Sequence, residues 1–377
     1  MTDSSGLARV LAPHVDEGPV PGAVGLVARG DEVEVAVVGH ADAEGTAPLA
    51  RDSIFRIASI TKPIVAAAVM TLIEDGRLAL DSPVAHWLPE LASPNVVRDP
   101  AGPVEDVVPA ARPVTVEDLL TFRAGWGFTS DFSLPVMELL FPLMDPHHPQ
   151  RVAEPDTWLA ALARVPLLHQ PGEAWLYNTC SDIQGVLIAR VTGTSLPDYL
   201  AERIFTPLGM KDTGFEVPAA ARGRFTHSYV PTSDGGREPV DAPDGQWSGL
   251  PAFPSGAGGL VSTADDWWAF ARMLLAGGGP VLSAESVRLM TTDHLTAEQR
   301  RASELFTEGQ GWGFGGSVDV EPREKWQVPG RYGWVGGTGT AAYLTPSTGA
   351  VTILMTQLAM SGPTPPQIMR DFWSYAA

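Results

Sequence analysis

Strand-like segments occur only near the two ends of the chain, and this distribution restricts the fold more than any other sequence feature. Near the start, GAVGLVARG and EVEVAVVGH resemble two strands joined by RGDE, after a short helix at residues 4–16. Near the end, GWGFGGSVDV, YGWVGG, TAAYLTP and AVTILMTQL resemble further strands, before a closing helix in PPQIMRDFWSYAA. The simplest arrangement is one sheet that is built from both chain ends.

The middle of the chain has a different character. Between residues 83 and 224 proline is frequent, the helical patterns are short, and no clear alternating strand appears. We therefore expect a helical domain at 83–224, inserted into an α/β domain formed by 1–82 and 225–377. The glycine- and proline-rich stretch at 227–259 predicts a long returning loop. Candidate helix N-caps are Thr115, Asp156 and either Ser262 or Thr263.

Composition excludes several classes of partner. The net charge of −19 repels phosphate backbones and anionic lipids, so we expect neither nucleic acid nor a membrane as partner. No apolar run approaches the ~20 residues of a membrane-spanning helix, and the start lacks the pattern of a signal peptide. The single cysteine, Cys180, rules out an internal disulfide. These features predict a cytoplasmic protein, whose oligomeric state the sequence leaves open.

Ser59 and Lys62 stand three residues apart, where an apolar helical pattern begins that runs to Glu74. In a helix this spacing puts both side chains on one face, so the hydroxyl and the amine can meet. A serine needs a nearby base to act as a nucleophile, and a lysine can serve only if its pKa is lowered. The apolar surround and the positive helix end favour that shift, although Pro63 predicts an irregular first turn. The alternative is a capping serine beside a solvated lysine.

Two further stretches carry groups that acyl-transfer chemistry uses. Tyr177 stands just before a predicted helix, and a tyrosine can relay a proton between nucleophile and leaving group. YGWVGGTGTAAYLTP combines a strand with glycines that let a ligand approach the backbone closely, as an oxyanion-binding N–H requires. Taken singly, Tyr177 is also typical of a core aromatic residue, and the glycines are typical of an ordinary hairpin.

Together and in this order, these stretches resemble the serine β-lactamase-like, penicillin-recognising family, in particular its carboxylesterase branch. LGMKDTGF, SGAGGLVSTADDWWAFARMLLAGG and GWGFGGSV also match, so the resemblance covers nearly the whole chain. It implies a β-lactamase-like fold of the α/β (α+β) class, with an antiparallel sheet flanked by helices, built from both chain ends, and an inserted all-α domain. The active site would lie in the cleft between the two domains, and it would need no cofactor.

The resemblance also implies roles for individual residues. Ser59 looks like the acylated nucleophile, Lys62 like its proton acceptor and Tyr177 like the third catalytic group. Which of Lys62 and Tyr177 acts as the base stays open. Gly337 would supply the second oxyanion-binding amide beside that of Ser59.

The substrate-binding positions depart from the wider family. Trp334-Val335-Gly336 matches the W-x-G of the esterase branch instead of K-T-G, which makes Trp334 and Gly336 candidate substrate-binding residues. The usual asparagine of Y-x-N is replaced by Thr179, a further candidate, while Asn178 is out of register. Without the K-T-G lysine, no cation from that motif would hold a substrate carboxylate. Both departures favour small uncharged carboxylic esters.

Several alternatives remain at this level. A β-lactamase, a DD-peptidase, a D-amino-acid amidase or an acyltransferase would use the same acyl-serine, and an inactive relative would act as a binding scaffold. No serine fits the G-x-S-x-G motif of α/β-hydrolases, and the scattered histidines predict no metal site. Four aromatic residues are candidates for either the cleft or the core, namely Trp126, Phe128, Phe132 and Phe141.

Overall fold

The computed structural model of the protein describes residues 6–30 and 32–377. The strands are β1 Gly22–Arg29, β2 Glu32–Gly39, β3 Phe55–Arg56, β4 Asn95–Val97, β5 Val107–Pro109, β6 Ser228–Pro231, β7 Arg237–Asp241, β8 Val261–Ser262, β9 Gly311–Trp312, β10 Ser317–Val318, β11 Tyr332–Gly336, β12 Thr340–Thr345 and β13 Ala350–Thr356. The α-helices are α1 Gly6–Asp16, α2 Lys62–Glu74, α3 Val116–Leu120, α4 Pro135–Leu140, α5 Pro155–Leu162, α6 Thr179–Thr192, α7 Leu196–Leu200, α8 Thr206–Leu208, α9 Ala264–Leu275, α10 Ala284–Met290, α11 Ala297–Ala302, α12 Glu304–Thr307 and α13 Gln367–Ala376. Within the described ranges, no helix combines the length and the apolar character needed to cross a bilayer.

Seven strands form the main sheet, in the order β2-β1-β13-β12-β11-β10-β9. Every neighbouring pair is antiparallel, and the two chain ends meet where Ala23 of β1 pairs with Thr356 of β13. The predicted antiparallel sheet built from both ends is therefore confirmed. Residues 4 and 5 of the predicted first helix and Asp31 of the RGDE turn lie outside the described residues.

Helices cover both faces of this sheet. On one face, Leu7 and Leu11 of α1 and Phe372 of α13 come so close to Gly25 that a β-carbon there would lie 2.9 Å from Leu11. β1 and β12 bury consecutive residues instead of alternate ones, so the opposite face is covered as well. There α9 packs against β12 and β13. The sheet thus forms the central layer of the core, as the predicted fold class requires.

The middle of the chain is mainly helical, as predicted, but not entirely. Five α-helices, α3 to α7, lie between residues 116 and 200, and α6 packs against α2. The prediction that this region lacks strands is wrong, because β4 and β5 form an antiparallel hairpin. Each strand has only three residues, too few for an alternating pattern to be recognised. The domain limits at residues 82/83 and 224/225 stay a prediction.

A second hairpin lies where the sequence predicts a long loop. Strands β6 and β7 pair in an antiparallel manner with a register shift near Tyr229. Pro231 and Pro239 interrupt the alternating pattern of these strands, which explains why the sequence does not reveal them. The backbone of Tyr229 also bonds to that of Gln357, just beyond β13, at 2.9 Å. The hairpin is thus attached to the end of the main sheet.

The observed N-caps agree with the candidates from the sequence in α3 and α9 but not in α5. Thr115 caps α3 in a capping box with Asp118, and Thr263 caps α9. Asp156 is not the cap of α5, because the side chain of Glu154 accepts the backbone N–H groups of residues 156 and 157 instead. Pro155 takes the first helical position after Glu154, where its missing N–H costs no hydrogen bond.

A buried ion pair fixes the second hairpin beneath the strand that leads to Ser59. The Nε of Arg56 donates to Asp241 Oδ2 at 3.0 Å, and these two side chains are 3% and 5% exposed. Nη1 of Arg56 donates to the carbonyl of Thr226 at 2.6 Å, and the guanidinium lies 4.0 Å from the ring centroid of Phe225. Burial lowers the pKa of Arg56 to about 10, while the charge of Asp241 opposes that shift. The arginine remains charged at neutral pH.

We expect Asp241→Asn to lower the free energy of unfolding by about 3 kcal/mol, because it leaves the Arg56 charge buried without its counter-ion. Asp106→Asn is the matched control, since Asp106 pairs with Arg98 at 3.1 Å where both side chains are more than half exposed. The control should change stability by at most ~0.5 kcal/mol. Urea denaturation measures both effects, and equal losses in the two variants would contradict the structural role of Asp241.

Candidate active site

Ser59 lies in a tight 3₁₀ turn, Ala58–Thr61, directly before α2. Ala58 has a φ of 44°, in the left-handed region that non-glycine residues rarely adopt. Lys62 itself has helical dihedral angles, so the irregularity expected from Pro63 lies one turn earlier. Two threonine hydroxyls hold the turn: Thr338 Oγ1 donates to the Arg56 carbonyl at 2.6 Å, and Thr340 Oγ1 donates to the Ile57 carbonyl at 2.9 Å.

Lys62 is completely buried, and its amine has three oxygen partners from three parts of the chain. The Nζ lies 2.9 Å from Ser59 Oγ, 2.8 Å from Asn178 Oδ1 and 2.6 Å from the Ala257 carbonyl. Burial lowers the pKa of Lys62 to about 7, although the negative charge of Asp182 raises it in part. The amine is therefore largely neutral in weakly alkaline solution.

The three partners determine where the lone pair of a neutral Lys62 points. A neutral amine has two hydrogens and one lone pair. Asn178 Oδ1 and the Ala257 carbonyl can only accept hydrogen bonds, so they take the two hydrogens. Ser59 is the one partner of the three that can donate, and its hydroxyl is thus directed at the nitrogen lone pair. This is the arrangement that a general base needs before it removes a proton.

Tyr177 completes the group around Ser59. Burial raises the pKa of Tyr177 to about 12, and hydrogen bonds with Ser59 and Trp334 offset part of that rise. The Trp334 Nε1 donates to the Tyr177 hydroxyl at 2.6 Å, and the Lys62 Nζ lies 4.6 Å from the centroid of the tyrosine ring. At neutral pH, Tyr177 therefore keeps its proton. Its hydroxyl is suited to donating that proton rather than to acting as the resting base.

The two predicted oxyanion-binding amides belong to segments that the threonine hydroxyls tie together. Ser59 and Gly337 both line the same cavity. Within the part of the chain that the structure describes, neither amide N–H donates to a protein acceptor. A β-carbon on Gly337 would have no atom within 4 Å, so the space in front of this residue is open. Both N–H groups are available to a developing oxyanion.

The cavity in front of Ser59 has a volume of about 530 Å³. Its wall is mainly apolar and includes Phe128, Leu143, Met144, Trp247, Phe253 and Met360. Of the other aromatic candidates, Trp126 is buried in the core and donates to the Val165 carbonyl. Phe132 and Phe141 lie outside the cavity wall. A cavity of this size suits a small organic substrate.

The cavity wall does not include the three residues that the sequence predicts to contact substrate. Thr179 is buried in the first turn of α6, and its hydroxyl has no partner among the described residues. Trp334 is buried behind Tyr177, to which it donates. A β-carbon on Gly336 would lie 2.2 Å from Thr340 Oγ1 and 2.4 Å from the Ile57 carbonyl, so packing requires glycine there. This geometry does not support direct substrate binding by any of them.

Two residues of the site escape the sequence analysis. Asn178, judged out of register, contacts Lys62 because its φ of 83° turns the backbone just before α6. Asp182 Oδ1 accepts from Ser255 Oγ at 2.6 Å and from the Ala257 N–H at 3.1 Å, so it fixes the loop that supplies a carbonyl to Lys62. Burial raises the pKa of Asp182, against the lowering effect of these bonds and of Lys62. An asparagine at a helix start was the available signal, since asparagine tolerates positive φ.

Within 6–30 and 32–377, no group of three or more histidine, cysteine, aspartate or glutamate side chains is arranged to hold a metal ion. His147 lines the cavity, and the neighbouring His148 contacts Asp145 through Nδ1 at 2.9 Å. Ser59 hydrogen-bonds with the Lys62 amine and the Tyr177 hydroxyl, two groups that can move a proton.

Comparison with known proteins matches nearly the whole chain to one family. The family model described as Beta-lactamase matches residues 7–368. An uncharacterized protein of Mycobacterium tuberculosis is 39% identical, with 91% of this chain and 87% of the relative covered. Esterase EstB of Burkholderia gladioli is 32% identical, with 96% of this chain and 94% of the relative covered.

Among solved structures, EstCE1 is described as a hydrolase with promiscuous acyltransferase activity. Its structure superposes with a TM-score of 0.82 at 25% identity, and the match covers 98% of this chain and 97% of that one.

We expect the Lys62 amine to titrate with a midpoint near pH 7, because burial disfavours its charged form. The ¹³Cε chemical shift of Lys62 measures this midpoint, and Lys62→Met assigns the signal. Asp182→Asn should move the midpoint to lower pH, since it removes the negative charge that raises the pKa of Lys62. A midpoint close to the ordinary value of 10.5 would contradict a neutral, buried amine.

Proposed function

The chain belongs to the Beta-lactamase family, and on that premise we propose that it cleaves small uncharged carboxylic esters through an acyl-enzyme on Ser59. It is an enzyme of the β-lactamase-like fold whose relatives include an esterase and a hydrolase with acyltransferase activity. The observation that carries the proposal is the hydrogen-bond pattern at Lys62 Nζ. Two fixed acceptors leave its lone pair facing Ser59 Oγ.

In the proposed acylation step, Ser59 Oγ attacks the ester carbonyl carbon while its proton passes to the neutral Lys62 Nζ. The electron pair of the carbonyl moves to its oxygen, which the amides of Ser59 and Gly337 stabilise. One such donor typically contributes about 3 kcal/mol to lowering the barrier. As the bond to the alcohol oxygen breaks, that oxygen takes the Tyr177 proton, and the phenolate regains a proton from Lys62. The acyl group remains on Ser59.

Deacylation reverses these roles with water in place of the alcohol. The neutral Lys62 accepts a proton from the attacking water, and the same two amides hold the second oxyanion. When this intermediate collapses, the bond between the acyl carbon and Ser59 Oγ breaks, and the proton returns to the serine. The products are a carboxylic acid and an alcohol, and the side chains regain their initial protonation states.

The charges around the cavity support an uncharged substrate. Trp334 stands where K-T-G enzymes have a lysine, and it is buried against Tyr177. Arg56 is the one lysine or arginine among the described residues of the cavity wall, and Asp241 already neutralises it. A substrate carboxylate would therefore find no unpaired lysine or arginine among the described residues of the wall. β-Lactams and peptides with a terminal carboxylate fit this site less well than neutral esters.

Acyl transfer to an alcohol is the second candidate. The acyl-enzyme would be the same, and an alcohol in place of water would intercept it. The mainly apolar cavity wall favours this route because it can hold an organic acceptor. Product analysis with an added alcohol distinguishes transfer from hydrolysis.

A cytoplasmic location and a small-molecule partner belong to the same proposal. The single cysteine, Cys180, is buried and free, so the protein has no internal disulfide that would require an oxidising compartment. The net charge of −19 argues against nucleic acid as a partner.

Ser59→Ala should abolish hydrolysis of p-nitrophenyl butyrate and labelling by a fluorophosphonate, because it removes the nucleophile. Lys62→Ala and Tyr177→Phe should each lower the rate about a hundredfold or more, since they interrupt proton transfer. Ser347→Ala and Lys325→Ala are matched controls, because both residues are exposed. Full activity of the Ser59→Ala enzyme, or an adduct on another residue, would rule out the proposed nucleophile.

Trp334→Phe should lower kcat about tenfold and leave KM unchanged. The variant keeps the aromatic packing but removes the N–H that orients the Tyr177 hydroxyl. Steady-state kinetics with p-nitrophenyl butyrate measures both constants. Trp268→Phe, on the half-buried side of α9, serves as the control. A change confined to KM would instead mean that Trp334 contacts the substrate.

A further inference from the structure

Two exposed phenylalanine rings lie next to the catalytic cavity. Among the described residues, Phe132 and Phe141 are the two most exposed phenylalanines, at 42% and 41%. Their ring centroids are 6.2 Å apart. We refer to these two residues as the outer aromatic patch. Neighbouring exposed aromatic rings are costly in water, and they often mark a place where an apolar ligand binds.

The outer aromatic patch is continuous with the cavity. Phe128 lines the cavity, and its ring centroid lies 6.2 Å from that of Phe132 and 5.5 Å from that of Phe141. Inside the protein, the ring of Phe306 lies 6.0 Å from Phe132 and 5.1 Å from Tyr177. Phe128 thus connects the cavity wall with the patch, since its ring packs against both exposed rings.

This path begins on the Tyr177 side of the site. The backbones of Phe128 and Tyr177 exchange two hydrogen bonds of 2.8 Å, so the two residues lie side by side. In the proposed mechanism Tyr177 protonates the departing alcohol oxygen, and the alcohol half of the ester must then lie near Tyr177. The oxyanion-binding amide of Gly337 comes from a different segment, after β11. The patch is thus placed to receive the alcohol half.

We propose that the outer aromatic patch binds the distal part of an apolar alcohol, so that the preferred substrates are esters of medium-length or bulky apolar alcohols. This proposal rests on the esterase function proposed above, because that function decides which half of the substrate faces Tyr177. It predicts a preference that depends on the size of the alcohol and only weakly on the length of the acyl group.

The charges around the patch favour a neutral occupant. Asp131 and Glu138 are exposed close to the two rings in sequence, and the whole chain carries a net charge of −19. An anionic lipid surface would be repelled by these charges, and so would an alcohol that bears a carboxylate or phosphate. The uncharged part of a small substrate meets no such barrier.

The test compares Phe132→Ser/Phe141→Ser with wild type on three neutral esters. Octyl acetate differs from ethyl acetate in the alcohol, and ethyl octanoate differs from it in the acyl group. Acid release at constant pH gives kcat/KM for each ester. Val37→Ser is the control for losing an exposed apolar side chain, since Val37 is 38% exposed on the outer strand β2. Thermal unfolding checks that all variants fold.

We expect wild type to prefer octyl acetate over ethyl acetate. The double variant should lose about tenfold of this preference through KM, because two apolar surfaces disappear from the path. Its rates with ethyl acetate and ethyl octanoate should stay within about twofold of wild type. Equal losses for all three esters, or no loss, would overturn the proposal. A loss confined to ethyl octanoate would place the acyl half at the patch and would overturn it as well.

A binding measurement separates this inference from the proposed function. Titration calorimetry with 1-octanol on the Ser59→Ala protein requires no catalysis. The protein that also carries Phe132→Ser and Phe141→Ser should bind 1-octanol about fivefold more weakly. If wild type hydrolyses none of the esters, the esterase proposal fails, and the binding result still decides whether the patch holds an apolar alcohol. Equal affinity in the two proteins would show that it does not.

Discussion

The burial of one amine determines how the rest of the site is arranged. An isolated lysine in an apolar interior loses its proton, and a neutral amine still needs partners for its two hydrogens. The protein supplies those partners from two separate segments, the turn before α6 and the loop that Asp182 holds. Because these two partners take the two hydrogens, the nitrogen lone pair is left facing Ser59. Stability and reactivity are therefore coupled at Lys62, since the contacts that make its burial tolerable also direct it at the hydroxyl.

The outline of the fold could be predicted because it depends on patterns that extend over many residues. Eight-residue strands near the start, strands near the end and the apolar helix after Ser59 all carry a clear periodicity, and the structure contains each of them. The two small hairpins could not be predicted. Three-residue strands have too few positions for a pattern, and prolines in β6 and β7 conceal pairing that their neighbours stabilise. Tertiary contacts, rather than local preference, decide those segments.

At the candidate site, a contact that depends on residue spacing could be predicted, but a contact that depends on an unusual backbone conformation could not. The distance of three residues between Ser59 and Lys62 leads directly to their contact, because a helical turn fixes it. The motif comparison favours Thr179, whereas a single positive φ at Asn178 brings the side chain of Asn178 to Lys62. Trp334 illustrates a further limit. Its position in a motif indicates that it matters, but only the structure reveals that its indole faces Tyr177 and not the cavity.

The hydroxyls of Thr338 and Thr340 tie the turn of Ser59 to a segment 282 residues and more further along the chain. A nascent polypeptide that ends before β12 would already contain Ser59, the proposed nucleophile, and the Lys62 amine, yet it would lack Thr340 and the bond with which it holds the turn. The arrangement of the turn thus depends on residues that the ribosome adds long after Ser59. In a nascent chain that still lacks them, the proposed acylation of Ser59 would be suppressed.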